Sequence, residues 1–439
     1  MYMTKTDYIL NTYTESLMIA KSISNRVYQN EFNRLFNLKH IRDKFDNKIT
    51  IKDIFLNCWD KFKSNNIDKL RSSVIKNVED IIFCKDYRKG YIAFSCKRCD
   101  NFTFTAFSCN SRFCSTCGKK YRDFRSIEIQ SKLINVSHRH FVFTVAEELR
   151  IYFFKYRDMQ NLLFDAVNDT LTNTSITSKK EIANNYKLGF VSFLHTFGRD
   201  LKPNPHIHAL VAEAKVSSSG NVKKYHYFHF EQLRKYFMFS LLNLMSNYLN
   251  ESHPSELKAF NILKYYLIKT YSKGFYIYAP PNNSKLTTIK DIANYIARYG
   301  SHPAISESRI VSIDYASNTI TWKFNPHEDD GLTSDDPNYQ GTKFITESID
   351  AFIIKLIRHI PDKHFHLIRY FGFYANKSKT IPKIPKILWI NRIRMLKSML
   401  KYTVLLYNTF KFDPHICKCG SKMTFDYSLS YFPMKGCVF

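Results

Sequence analysis

Two imidazoles and two phenols are the side chains in this sequence whose spacing suggests chemistry. In NPHIHALVAEA, residues 204 to 214, His206 and His208 flank Ile207 at the start of a run that reads as a β-strand. Side chains two apart on a strand share a face, so both imidazoles point one way and Ile207 the other. Such a pair can hold one metal ion, although a His-x-His pair alone is more often a partly buried polar pair. Further along, in DIANYIARYGSHPAISESRI, Tyr295 and Tyr299 sit four apart in a helical pattern, which sets both phenols on one helix face. A tyrosine oxygen can displace the 3′-oxygen of a phosphodiester when a divalent cation polarises the phosphate, leaving a 5′-phosphotyrosine and a free 3′-hydroxyl. A second tyrosine can take a second strand while the first is occupied, which turns cleavage into strand exchange. Alone, YIARY reads as a helix that buries two aromatics. Beside the histidine pair, it reads as a nucleophile pair.

A cation on His206 and His208 needs a third ligand. His195, on the preceding strand two residues before Phe197, is the candidate, with a helix residue or water as alternatives. Imidazole with an oxygen ligand tolerates Mg²⁺ or Mn²⁺. Arg298, between the tyrosines, and Arg309 beyond them can neutralise phosphate or serve as plain surface cations.

Six of the ten cysteines fall between residues 84 and 117. Cys96 and Cys99 form one CxxC and Cys114 and Cys117 another, with fourteen residues between, close to zinc-ribbon spacing. These four are the expected Zn²⁺ ligands, with Cys84 and Cys109 able to replace one or to serve a second ion. Residues 85 to 125 also carry ten Lys or Arg and three Asp. A metal-stapled basic module fits a DNA reader, or a structural zinc that anchors neighbouring helices. A further pair, Cys417 and Cys419 in CKCG, departs from CxxC; a zinc there would call on His415 and Cys437.

The elements that must position these groups follow from periodicity. RHFVFTV, 139 to 145, and KLGFVSFLHTFG, 187 to 198, read as strands; the second pairs with the histidine strand across the turn LKPNP. ELRIYFFKYRDMQNLLFDAVNDTL reads as one long helix, residues 231 to 272 as helical, RIVSIDY and NTITWKF as a hairpin, and ITESIDAFIIKLIRHI as an amphipathic helix. LTTIKDIANYIARY is the helix that carries the tyrosines, stopped by Gly300. Residues 1 to about 80 are helical and ask for no chemistry.

The chain has 439 residues, room for two or three domains, with 65 Lys plus Arg against 38 Asp plus Glu and a net charge of +27. Such a field attracts polyanions, and 16% aromatic residues suit single-stranded nucleic acid, whose bases stack on rings while cations follow phosphates. From Lys363 to Phe412 there are eleven Lys or Arg and no Asp or Glu, fitting a strand-tracking surface or a basic amphipathic helix docked on the core. With no apolar leader and no run near the ~18 apolar residues of a bilayer span, the expectation is a cytoplasmic protein with no membrane partner. No GxxxxGK[ST] loop appears, so ATPase or helicase chemistry is not expected.

Four blocks resemble one known family in the same order. They are the cysteine module over 84 to 117, FLHTFGRDLKPNPHIHALV (193 to 211), YIARYGSHPAISESRI (295 to 310) and FIIKLIRHIPDKHFHLIRYFGFYA (352 to 375). Together they look like the two-tyrosine HUH transposases of the rolling-circle insertion-sequence type, the insertion-sequence ninety-one group, with their N-terminal transposase zinc-binding domain. The resemblance implies an α+β fold: an HUH endonuclease-like antiparallel sheet with helices on one face, preceded by a helical segment and a zinc-ribbon-like module. Expected domains are 1–80 (helical), 81–130 (zinc-binding and DNA-binding), 135–380 (catalytic) and 381–439 (basic C-terminal tail). The implied activity is a transposase that cleaves and rejoins single-stranded DNA at the element ends through Tyr295 or Tyr299, with host replication factors opening the duplex. A replication initiator or relaxase of the same chemistry, and a non-catalytic zinc-containing nucleic-acid-binding protein, remain alternatives.

Overall fold

The computed structural model describes residues 49–176, 178–279, 304–326, 341–375 and 390–432. In chain order the main elements begin with helices α1 (Ile51–Asn66) and α2 (Ser72–Ile82), strands β1 (Tyr91–Ser95) and β2 (Phe102–Ala106), and helix α3 (Ser115–Lys132). Next come β3 (His138–Thr144), α4 (Gln160–Ser175), β4 (Lys187–Phe197), β5 (Pro203–Val216), β6 (Val222–Lys224), α5 (Phe230–Ser252), α6 (Pro254–Thr270) and β7 (Ile277–Tyr278). The chain continues with β8 (Ile310–Asp314), β9 (Thr319–Phe324), β10 (Lys343–Ser348), α7 (Ile349–Arg358), β11 (Ile368–Phe371), α8 (Tyr402–Phe410) and β12 (Thr424–Tyr431).

These elements form two compact units, each assembled from segments distant in sequence. One comprises residues 1–121, 302–363 and 401–439, the other 122–301 and 364–400. The continuous 135–380 domain of the sequence reading therefore gives way to an interrupted one. The expected C-terminal tail gives way to a folded segment, because β12 pairs with β1 and belongs to the first unit.

In the first unit, α1 starts at Thr50 with a reciprocal cap. The Thr50 hydroxyl accepts from the Asp53 N–H, and the Asp53 carboxylate accepts from the Thr50 N–H, both at 3.1 Å. Two of the four donors orphaned at a helix start are satisfied this way. Ile54, Phe55, Trp59 and Phe62 then recur at helical spacing and are buried, with the Trp59 and Phe62 rings stacked at 5.8 Å. Burying each such side chain is worth about 1.5–3 kcal/mol. A three-stranded sheet of order β12-β1-β2 carries the cysteine module, and a second of order β10-β9-β8 packs with α7 around buried Trp322. The hairpin expected from RIVSIDY and NTITWKF is β8–β9. The helix expected from ITESIDAFIIKLIRHI begins only at Ile349: residues up to Ser348 pair with β9, and the Ser348 hydroxyl caps the helix by accepting from the Ala351 N–H.

In the second unit, β5 lies inside an antiparallel sheet of order β11-β4-β5-β3-β7, with β6 also pairing β5. Alternation sorts the side chains. Phe141, Phe143, Phe190, Leu194, Ile207 and Ala209 face a core completed by α4, α5 and α6. Val191, Phe193, Leu210 and Ala212 face the opposite side, where Ile129 of α3, Leu133 just after it, and Phe373 and Tyr374 cover them. Side chains therefore cover both faces of the sheet, with α3 on the second, where the sequence reading expected helices on one. The close approach of the 372–374 turn requires glycine: at Gly372, φ is +58° and an added Cβ would stand 1.6 Å from the Leu188 carbonyl oxygen. The single long helix expected over ELRIYFF and beyond is broken at Tyr156, after which α4 starts at Gln160. No helix among the described residues is long and apolar enough to cross a membrane.

Candidate metal centre and cysteine clusters

His195 on β4 and His206 on β5 are direct cross-strand partners, and Phe193 pairs with His208 in the same ladder. Cross-strand partners and strand neighbours two apart share a face, so the three imidazoles meet there. His195 Nδ1 lies 3.1 Å from His206 Nε2, which lies 3.0 Å from His208 Nε2. All three ligand-capable nitrogens fall within 4.8 Å of one another.

Hydrogen bonds behind these rings aim the lone pairs. His206 Nδ1 is 2.6 Å from the Asn204 carbonyl oxygen and can only donate to it, which leaves Nε2 as a bare lone pair. His208 Nδ1 lies 2.9 Å from Nε2 of His140 on β3, and the two rings stack within 5° of parallel. If His208 donates through Nδ1, its Nε2 is bare as well. Burial pushes His206 down to about 4 against the Asn204 hydrogen bond, with the Arg150 charge adding to the shift. Burial and then the neighbouring His206 push His140 to about 4. His208 falls well below the usual imidazole range, first through burial and then through His206, His140 and His195. At neutral pH these three rings are uncharged, the form in which imidazole binds a metal.

A further histidine on this face is accounted for without a ligand. His138 Nδ1 donates to the Val136 carbonyl at 2.8 Å, and its Nε2 accepts from the Tyr374 hydroxyl at 2.8 Å. The Tyr374 oxygen in turn accepts from the Ile134 N–H at 3.2 Å. Tyr295, Arg298 and Tyr299 lie outside the described residues. Arg309 belongs to the first unit, where its Nε donates to the Lys323 carbonyl and its guanidinium stacks over Trp322.

The cysteines regroup. Cys84, Cys109, Cys114 and Cys117 form one cluster, and Cys96, Cys99, Cys417 and Cys419 another. The two CxxC pairs, expected to share one zinc, are in separate clusters because Cys96 and Cys99 sit on the turn after β1, whereas Cys114 and Cys117 open α3 beside Cys84. In the first cluster Cys84 Sγ lies 3.6 Å from Cys117 Sγ and 3.7 Å from Cys114 Sγ. Hydrogen bonds from Cys109, then Cys114 and Cys84, lower the Cys117 thiol against its burial. His415 packs against the Phe94 ring instead of joining the second cluster, and Cys437 lies outside the described residues.

Comparisons with known proteins bear on both units. A family model described as "Transposase zinc-binding domain" matches residues 54–145, and one described as "Putative transposase" matches residues 189–380. The chain is 27% identical over 399 residues to the transposase for insertion sequence element IS801 of Pseudomonas savastanoi pv. phaseolicola, covering 88% of this chain and 91% of that one. The chain belongs to the IS91 family of transposases. A second relative, a "Putative transposase y4qJ" of Sinorhizobium fredii, is 24% identical over 346 residues, covering 74% and 80% of the two chains. No solved structure matches this transposase. Its zinc-binding match spans the six clustered cysteines, which together with the first cluster supports a structural zinc. Cys417 and Cys419 lie beyond both matched regions.

Two groups near the histidines were not singled out from sequence. His140 carried a signal, since His138-Arg139-His140 repeats the His-x-His spacing on a strand that pairs with β5. Arg150 carried none.

Proposed function

We propose that this transposase cuts and rejoins single-stranded DNA at the ends of its element through a covalent 5′-phosphotyrosine, with a divalent cation held by His195, His206 and His208 in an HUH-type sheet. The convergence of three imidazoles on one point, with His206 and His208 held uncharged by burial, carries the reading. The donor set fits such an ion. Three imidazole nitrogens within 4.8 Å suit Mn²⁺ better than Mg²⁺, which prefers oxygen, and among the described residues the cluster includes no carboxylate. When bound, the cation would polarise the scissile phosphate and offset the charge that builds on it.

The residues of the chain supply the rest. The Asn204 carbonyl fixes the His206 tautomer, and His140, with Nε2 2.9 Å from His208 Nδ1, orients the His208 ring. Arg150, close enough for its charge to act on His206, adds positive potential where a phosphate would approach. The phenol oxygen of Tyr295 or Tyr299 forms a bond to phosphorus as the bond to the sugar 3′-oxygen breaks. The phenol proton leaves with that 3′-oxygen as a hydroxyl. The second tyrosine repeats the step on another strand, and attack by a 3′-hydroxyl on the phosphotyrosine reverses it, rejoining DNA without ATP. Zinc on Cys84, Cys109, Cys114 and Cys117 would hold the start of α3 against α2.

The test uses single-stranded oligonucleotides labelled at either end, with Mn²⁺ and the full chain. The expected product is a protein adduct on the fragment downstream of the cut, reduced by Tyr295→Phe or Tyr299→Phe and absent from the double variant. An adduct undiminished in the double variant would remove the tyrosines from the reaction.

A further inference from the structure

Four sulfurs far apart in the chain, two of them beyond both matched regions, meet in the first unit. Cys99 Sγ lies 3.4 Å from both Cys417 Sγ and Cys419 Sγ, and Cys96 Sγ lies 3.7 Å from Cys419 Sγ, across 323 residues of sequence. A disulfide sets its sulfurs about 2.05 Å apart. Tetrahedral zinc, at about 2.3 Å from each thiolate, sets them about 3.8 Å apart. The observed spacings match the second geometry and exclude the first.

Each pair sits on a turn of one design. After β1, the Cys96 N–H donates to the Asn101 carbonyl at 2.9 Å and the Asp100 N–H to the Cys96 carbonyl at 3.0 Å, with Asp100 at φ +52°. Before β12, the Cys417 N–H donates to the Ser421 carbonyl and the Gly420 N–H to the Cys417 carbonyl, both at 2.9 Å, with Gly420 at φ +80°. The second turn closes one residue sooner, so it presents Cys-x-Cys where the first presents Cys-x-x-Cys. Beneath the sulfurs Phe94, Cys96, Cys417 and Met423 are buried together. Above them the Asn101 amide donates to Cys99 Sγ at 3.2 Å. Exposed Lys97, Arg98, Lys418 and Lys422 flank the four cysteines in sequence and offset the charge of four thiolates on one dication.

We propose that Cys96, Cys99, Cys417 and Cys419 bind a second zinc ion, separate from the one on Cys84, Cys109, Cys114 and Cys117, and that this ion staples the C-terminal strand to the cysteine module. The strand pairing it secures starts beside it, with Ser95 opposite Thr424 and Phe94 opposite Phe425. Closing a loop this long restricts the unfolded chain strongly, so the ion contributes to holding β12 in place as well as ordering the two turns. The proposal is independent of the nuclease reading, which concerns the histidines of the other unit.

Metal analysis of the full-length chain tests it. Two zinc ions per chain are expected, falling to one with Cys417→Ser and Cys419→Ser together, and in that double variant protease should cut between residues 411 and 424 where the parent resists. A parent chain with one zinc that the double variant keeps, or a double variant that keeps two, would overturn it. Should the variant fold poorly, alkylation of the parent gives the same decision. Cys417 and Cys419 should resist iodoacetamide until a chelator is added, whereas rapid alkylation of both in zinc-loaded protein would overturn the assignment.

Discussion

His195 and His206 face each other across the β4–β5 ladder with Nδ1 and Nε2 3.1 Å apart, while the Asn204 carbonyl takes the only proton His206 carries when neutral. The Nε2 lone pair of His206 therefore points at both His195 and His208. A cation in the midst of the three would draw one nitrogen from each ring.

His140 should act through His208 and not on DNA. His140→Ala removes the hydrogen-bond partner of His208 Nδ1, so Mn²⁺ affinity is expected to fall about 10–100-fold. Adduct formation should recover when Mn²⁺ is raised by the same factor. Titrating Mn²⁺ in the oligonucleotide assay checks this, and a loss that no Mn²⁺ concentration restores would assign His140 a different role.

Tyr374 closes the far end of the histidine face. Tyr374→Phe leaves the buried Ile134 N–H without its acceptor and His138 Nε2 without its donor, at a cost of about 1–3 kcal/mol. Urea unfolding should show this as a lower midpoint with unchanged slope.

His138 should make this unit acid-labile. Burial, opposed by its hydrogen bond to Val136, lowers it from the usual 6.5 to about 4. A folded value below the unfolded one means that the stability is present in full above about 6.5 and is lost as pH falls toward 4. The loss is on the order of 3 kcal/mol. His140 and His206 shift the same way, so the parent chain loses more than this in total. Stability measured against pH for His138→Phe should be flatter than for the parent over that window, and parallel curves would contradict the assignment.

How far all this was readable in advance depends on the range of the interactions. The strands around His195, His206 and His208 were legible because alternation is local: β4 and β5 fall within a residue or two of the runs that predicted them. The meeting of the three rings followed from the short turn between those strands. The cysteine grouping was not legible, because Cys417 and Cys419 approach Cys96 and Cys99 only through the β1–β12 pairing, and no local pattern encodes a partner 323 residues away. The basic stretch ending at Phe412 fits either a strand-tracking surface or a docked helix on sequence alone. Over Tyr402–Phe410 it docks, with Leu405 and Leu406 buried and Lys120 over the Tyr402 ring. Where β10 meets α7, the mixed run ITES leads straight into the apolar helix face, and the Ser348 cap sets the boundary.

Glu181 and Lys215 offer a test of the sheet away from the histidines. The Lys215 ammonium on β5 is buried and lies 3.0 Å from Glu181 Oε2, with Lys223 on the other carboxylate oxygen at 2.6 Å. Glu181→Gln leaves a buried cation without its counter-charge and should cost about 3–5 kcal/mol. Adding Lys215→Met should recover part of that, as read by thermal unfolding of the single and double variants.

The central claim is that His195, His206 and His208 bind one divalent cation through nitrogen. Pulsed electron paramagnetic resonance of the full chain with one equivalent of Mn²⁺ tests it most directly. The account predicts nitrogen couplings from directly bound imidazoles, lost when His206→Ala and His208→Ala are combined. A spectrum without nitrogen coupling, the same in parent and double variant, would contradict it.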